Sequence, residues 1–385
     1  MFFSLYLKKI NLNRYTLSTF IKALFLFFNE NILLFSLTII LFSFLLSYRS
    51  FPLIVYISRI KNLTATPNER SSHETRIPHL GGLGVSFGAF FVSGFFGSFM
   101  LSANDMSILL SITASIVILF TAGVKDDIVG LSPSLKLMAE VLSAFIFIVL
   151  TDIRIDNFYG IFGIYEISTF ISYLFTVFVF VVVINSFNLI DGIDGLAASV
   201  AIIILCHLCY YFYKIGLVVG LLSASATIGG LLAFLRFNIS KGKRKIFMGD
   251  VGSLVVGFIL SFTTTMALSS KFNASYDFEN KPIYILALFA FPFLDTIRVF
   301  ILRGIKGNSP FAADKNHLHH KLLKYGYTHI QSTSLVILYC LLVIGISNFF
   351  FDTSINLHLL ITIIVSVGLL ALLLLFLSKK NKKLN

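Results

Sequence analysis

The chain has 385 residues, 57% hydrophobic and 12% charged, with a mean hydropathy of +0.91. A soluble domain carries about a quarter charged residues, so composition excludes a water-soluble globular fold and predicts an all-α polytopic membrane protein built as one unit. The net charge of +12 does not imply nucleic acid, because Lys and Arg in a membrane protein mostly mark its cytoplasmic side.

Residues 1–31 form a basic segment containing Lys8, Lys9, Arg14 and Lys22. No small-residue cleavage site follows a clean apolar core there, so it does not read as a cleavable signal. A surface stretch, a partial span around 20–28 and an extended start remain open for it. Apolar runs long enough to cross a bilayer core follow at 32–57, 80–101, 106–124, 134–151, 169–187, 195–213, 216–235, 251–270, 282–302, 330–350 and 356–377. They predict about eleven transmembrane helices in one integral domain, 32–377, followed by a basic tail, 378–385. Between the fourth and fifth runs, "IRIDNFYGIFGIYEIS" (153–168) alternates apolar and polar residues around glycines and predicts a small β-hairpin. The 43 Phe read as lipid-facing and packing side chains. Cys206, Cys209 and Cys340 lie in apolar runs, and "CHLC" (206–209) lacks the second ligand pair of a zinc site.

The connections fall into two sets. Those at 59–79, 125–136, 236–250 and 303–324, with the tail 379–385, hold 20 Lys and Arg; those at 102–105, 152–168, 214–215, 271–281 and 351–355 hold 4. This asymmetry predicts that the first set is cytoplasmic and the hairpin periplasmic. Residues 1–31 would then start on the outer side, against the rule.

Five polar clusters sit at span ends, all in the basic set: "HETRIPHLGG" (73–82), "VKDDIVGLSPSLK" (124–136), "NSFNLIDGIDG" (185–195), "KGKRKIFMGDVGS" (241–253) and "SPFAADKNHLHHKL" (309–322). The second is expected to be a loop linking the third and fourth spans. Taken singly, each has a plain explanation as a solvated loop, a capped turn or surface histidines. Together, on one face, they predict one shared site, since ionisable groups at membrane depth usually face an interior cavity. Asp126, Asp127, Asn188, Asp191, Asp194 and Asp250 are hard oxygen donors of the type that holds Mg²⁺ beside substrate phosphates. Lys125, Lys136, Arg303, His317, His319 and His320 can meet phosphate oxygens as cations or donors. Gly192, Gly195, Gly249 and Gly252 allow close approach of backbone, and Asp250 opens a helix whose free N–H groups favour anions. In a helix, His317 and His320 share a face. These ingredients fit metal-assisted displacement on a pyrophosphate.

The order of the motifs "PNERSSHETRIPHLGG", "GVKDD", "NSFNLIDGIDGLA", "IFMGDVGSLVVG" and "ADKNHLHHKLLKYGYTH" resembles the polyprenyl-phosphate sugar-1-phosphate transferases over about residues 60–330. "RIPHLGG" and "NHLHHKL" resemble the undecaprenyl-phosphate N-acetylglucosamine-1-phosphate transferase branch rather than the branch of peptidoglycan synthesis. The resemblance implies that a UDP-N-acetylhexosamine and undecaprenyl phosphate give a sugar-diphospho-lipid and UMP at a bacterial inner membrane, with Mg²⁺ required and Mn²⁺ as a substitute. It implies Asn188 and Asp250 as metal ligands, Asp126 and Asp127 as a catalytic pair, and Lys136 as the receiver of lipid phosphate. It further implies that Phe247 stacks on uracil, that Asp194 contacts the uridine with Asp191 beside it, and that Gly249 lines the substrate site. His317, His319 and His320 would meet the pyrophosphate or sugar, with Arg76 as a basic neighbour of the nucleotide. A phosphate nucleophile has its second pKa near 6 and is mostly ionised at neutral pH, so a strong general base is not obligatory. Direct displacement is favoured over an aspartyl-phosphate intermediate. The oligomeric state is not legible, with a homodimer left open.

The rival reading is a nucleotide-sugar or lipid transporter. Transporters more often show internal repeats and polar residues near the bilayer midplane; this chain has no evident repeat, and its polar groups sit at span ends. An inactive scaffold would lack a metal or catalytic residue of the motifs, and none is missing.

Overall fold

The computed structural model describes residues 27–28, 30–65, 77–272, 280–307 and 316–382. Most of the basic segment 1–31 and Arg76 lie outside these residues. Thirteen helices are described: α1 (Ile32–Ile60), α2 (Gly81–Met100), α3 (Ala103–Val129), α4 (Pro133–Thr151), α5 (Thr169–Ile190), α6 (Leu196–Ile215), α7 (Val218–Asn238), α8 (Gly249–Leu268), α9 (Lys281–Leu288), α10 (Ala290–Ile305), α11 (Leu318–Lys324), α12 (His329–Phe349) and α13 (Ile355–Lys382). Ten are long and apolar enough to cross a membrane, and the bent pair α9–α10 makes an eleventh if counted as one span. An all-α polytopic membrane protein is thus the fold, as hydropathy predicts.

Two short antiparallel pairs interrupt the helices. β1 (Thr64–Ala65) pairs with β2 (Ile77–Pro78), and β3 (Asn157–Ile161) pairs with β4 (Ile164–Glu166). The second pair is the hairpin expected at 153–168. It anchors the end of the bundle opposite the motifs: Tyr159 donates to the carbonyl of Leu268 (3.0 Å), and Asn356 accepts from the amide of Phe162 (2.8 Å).

Helix α8 is the axis of the fold. Val251–Leu268 are buried throughout, and α8 packs against α2, α3, α5, α6 and α7. Small residues allow this. A side chain at Gly82 of α2 would collide with the backbone of Gly252, and one at Gly123 of α3 with that of Val251. The first turn of α8 is thereby clamped between α2 and α3.

Two expectations need correction. Residues 124–136 are not one loop. Helix α3 continues through Lys125, Asp126 and Asp127 to Val129 and stops at Gly130, whose φ of +80° is costly for other residues. Ser132 caps α4, and Pro133 occupies its first turn. Likewise the run 282–302 is not one straight span. It bends by 67° at Phe289. Pro292 supplies the reason: it has no N–H for the carbonyl of Leu288, and its ring clashes with that carbonyl in a continuous helix.

Candidate active site

The site assembles where α8 begins. The stretch before it docks on the segment leading into α2: Phe247 donates to the carbonyl of Pro78 (2.8 Å), while Gly81 and Gly82 donate to the carbonyls of Phe247 (2.8 Å) and Met248 (2.7 Å). Gly249 makes the sharp entry into the helix with φ +73°. A Cβ there would collide with the carbonyl oxygen of His79 and press on the Asp127 carboxylate. Gly249→Ala should therefore cost about 1–3 kcal/mol in backbone strain alone, and more through the collision. A thermal unfolding midpoint in detergent equal to the parent's would contradict this.

Asp127 reaches this turn from α3. Its two oxygens accept from the backbone amides of Asp250 (2.9 Å) and Val251 (3.1 Å). A carboxylate there satisfies free helix donors and complements the positive end of the helix dipole. The His79 ring bonds to the carbonyl of Asp127 at 2.7 Å. The neighbouring Asp126 points elsewhere, as residues about 100° apart on a helix must. It accepts from the amide of Leu131 (2.7 Å) and pairs with the ammonium of Lys136. Lys136 also meets Asp250 at 2.8 Å, and Asp250 accepts from Asn188 of α5 at 2.9 Å. Asn188 further donates to Ser253 (2.6 Å), which uses both donors of one amide nitrogen and leaves its carbonyl oxygen for another partner.

Asp191 follows α5 directly. Among the described residues its carboxylate makes no hydrogen bond or ion pair. Burial pushes this carboxyl up to about 7, and the negative charges of Asp250, Asp127 and Asp194 add to the rise. Such crowding of hard oxygen donors is what a divalent cation relieves. The residues present, Asn188, Asp191 and Asp250, fit Mg²⁺ by donor type and by this unbalanced charge.

A second group lies beside the first. Asp194 pairs with Lys245 at 2.6 Å, and the Lys245 ammonium stands over the Phe247 ring, 5.6 Å from its centroid. Asn238 staples the two loops together: its carbonyl accepts from Gly195 (2.6 Å), and its amide nitrogen donates to the carbonyl of Ile246 (3.0 Å). His329 accepts from the Asp194 amide at 3.1 Å, and Thr333 donates to the Asp194 carbonyl at 2.8 Å.

The histidine motif joins through Gly192, where a side chain would collide with the His319 ring. His317 precedes α11 rather than lying inside it, so the helical face shared with His320 does not form. Its Nδ1 instead pairs with the buried Asp295 at 2.9 Å, while the other Asp295 oxygen takes Arg298 (2.7 Å) and the Leu318 amide (3.0 Å). Arg298 also donates to the carbonyl of Asn316 (2.7 Å). His319 is fully buried. Desolvation, with the charge of His320 adding to it, pulls this imidazole down to about 3. It is neutral at physiological pH and cannot act as the phosphate-binding cation considered above.

The structure thus brings together Asp126, Asp127, Lys136, Asn188, Asp191 and Asp250, with Asp194, Phe247, Gly249, His317, His319 and His320 alongside. Sequence reading missed Lys245, Asp295 and Arg298 as members. Asp295 and Arg298 did leave a signal: they are an ionisable pair inside an apolar run, where such residues usually serve a site.

The chain is also similar to known proteins. Glycosyl transferase family 4 matches residues 109–268. A probable undecaprenyl-phosphate N-acetylglucosaminyl 1-phosphate transferase of Bacillus subtilis is 31% identical over 273 residues, 71% of this chain and 73% of that protein. A decaprenyl-phosphate N-acetylglucosaminephosphotransferase of Mycolicibacterium smegmatis is 32% identical over 156 residues, 38% of each chain. An undecaprenyl-phosphate alpha-N-acetylglucosaminyl 1-phosphate transferase of Salmonella typhi is 30% identical over 123 residues, 31% of this chain and 32% of that one. The chain therefore spans about a third of the length of the last two relatives and nearly three quarters of the first. With one relative matched over most of both chains and the motifs gathered at one end of the bundle, the chain belongs to glycosyl transferase family 4, in the branch of the undecaprenyl-phosphate N-acetylglucosaminyl 1-phosphate transferases.

Proposed function

We propose that the protein transfers an N-acetylhexosamine 1-phosphate, GlcNAc-1-phosphate in the first instance, from a UDP-sugar to undecaprenyl phosphate. An oxygen of the lipid phosphate attacks the sugar-bearing phosphorus, the bond to the bridging oxygen breaks, and UMP leaves with that oxygen. The observation that carries this reading is Lys136, an ammonium at a span end held between Asp126 and Asp250. A lipid phosphate reaches the protein only at headgroup depth, which a cation at a span end suits, and a UDP-sugar arrives from the adjoining aqueous side. The basic bias of that end supports a cytoplasmic face, and the reaction would be the first membrane step of O-antigen, capsule or a related envelope polysaccharide.

In this reading Lys136 receives the acceptor phosphate and Asp126 holds Lys136 in place. Asp127 has both oxygens on backbone amides, so its part is to brace the start of α8 rather than to move a proton. Asn188 and Asp250, with Asp191 as a further oxygen donor, would hold Mg²⁺, with Mn²⁺ as a substitute. Bound there, the metal supplies charge neutralisation for the diphosphate and the leaving UMP. Asp194 and Phe247 would take the uridine, with Lys245 between them as an added cation. His317, oriented by Asp295, and neutral His319 offer hydrogen bonds to the sugar or its phosphate.

The test is to incubate the purified protein with undecaprenyl phosphate, Mg²⁺ and a panel of UDP-sugars. UMP and a sugar-diphospho-lipid should form with at least one UDP-N-acetylhexosamine. No product from any member of the panel would overturn the proposal.

A further inference from the structure

Glu140 lies on α4 one turn beyond Lys136 and is 1% exposed. Its carboxylate accepts a hydrogen bond from the side chain of Asn185 on α5. Asn185 is held in turn by the carbonyl of Val181 at 2.9 Å. Glu140 forms no salt bridge among the described residues. A carboxylate inside a spanning helix is costly, and a well-packed apolar pair in its place is often as stable or more so. Helix packing alone therefore does not account for this pair.

Its position does. Lys136 and Glu140 are four residues apart on α4, and Asn185 and Asn188 three apart on α5, so each pair shares a helix face. The result is two rungs. Lys136, Asp250 and Asn188 form the upper one at the site; Glu140 and Asn185 form the lower one, a turn deeper in the bundle. The lower rung ties α4 directly to α5 beneath the cation. The proposed uridine side, Asp194, Lys245 and Phe247, is borne by other segments.

We propose that Glu140 is a positioning residue for the polyprenyl-phosphate acceptor: its hydrogen bond to Asn185 sets α4 against α5 and so places Lys136 for the incoming phosphate. The inference rests on the acceptor reading given above. A glutamine at 140 still offers a carbonyl oxygen to Asn185; a leucine does not.

The experiment measures equilibrium binding of undecaprenyl phosphate and, separately, of UDP-GlcNAc to the full-length protein and to Glu140→Gln and Glu140→Leu. Glu140→Leu should weaken acceptor binding about tenfold, the scale of one lost hydrogen bond to a charged group, with Glu140→Gln within about twofold of the parent. Both variants should keep the parental affinity for UDP-GlcNAc, which a general loss of structure would not allow. Unchanged acceptor binding in Glu140→Leu, a parallel loss of both ligands, or a glutamine variant as weak as the leucine variant would each overturn the inference. A parent protein that shows the expected pattern of binding yet forms no product refutes the transfer reading and leaves this inference standing.

Discussion

Asp250→Ala should lower kcat/KM for sugar-phosphate transfer by about 10²–10³-fold or more, the range seen when one preorganised electrostatic group is lost. The substitution removes the oxygen that both Lys136 and Asn188 contact and, in the proposed mechanism, a metal ligand. Two effects should separate in the data. Saturating activity should fall, and the Mg²⁺ concentration for half-maximal rate should rise. The fold should survive, because the backbone amide of residue 250 still donates to Asp127 and the burial of α8 begins one residue later. Asp250→Asn keeps a hydrogen-bonding side chain but no charge, and should recover little. A rate within about tenfold of the parent at ordinary Mg²⁺ would be too small a loss for such a group and would refute the role.

Asp127→Ala should fail differently, losing stability and turnover together. Its carboxylate satisfies two amides at the start of the most buried helix. Loss of a capping side chain costs about 0.5–2 kcal/mol, and the dipole interaction adds a few tenths to about 1 kcal/mol. Because the same turn carries Asp250, loosening it should displace that side chain and reduce kcat strongly. Asp127→Asn offers one oxygen and turns an amide nitrogen toward the second donor, so it should rescue only part of the stability. Thermal unfolding in detergent beside the transfer rate decides the matter. An alanine variant as stable as the parent but inactive would return Asp127 to a direct chemical role. Reading Asp127 as a loop carboxylate predicts that outcome; its position in α3 predicts the other.

That difference illustrates how far the amino-acid order reaches. Hydropathy over about 20 residues is a local property set by bilayer thickness. It located ten spans to within about five residues at each end, and alternation around glycines located the β3–β4 hairpin. The break at Phe289 was also local in cause, since Pro292 lies in plain view within the ninth run. The motifs named most members of the site by residue type. What they could not name was the partner of each. Asp126 and Asp127 are neighbours in sequence with similar chemistry, yet one meets Lys136 and the other caps α8, 124 residues away from its Val251 contact.

The sequence by itself determined the membrane class, most of the spans and the gathering of polar motifs at one end, because each follows from the length, apolarity and charge of short segments. Only the tertiary structure decided which carboxylate braces and which pairs, that Lys245 stands over Phe247, that Asp295 and Arg298 hold the histidine loop, and that Glu140 meets Asn185. Those assignments depend on how helices distant in sequence turn their faces toward one another. That is set by close packing of Gly82 and Gly123 against Gly252 and Val251 of α8, where fractions of an ångström between backbones fix which side chains can touch.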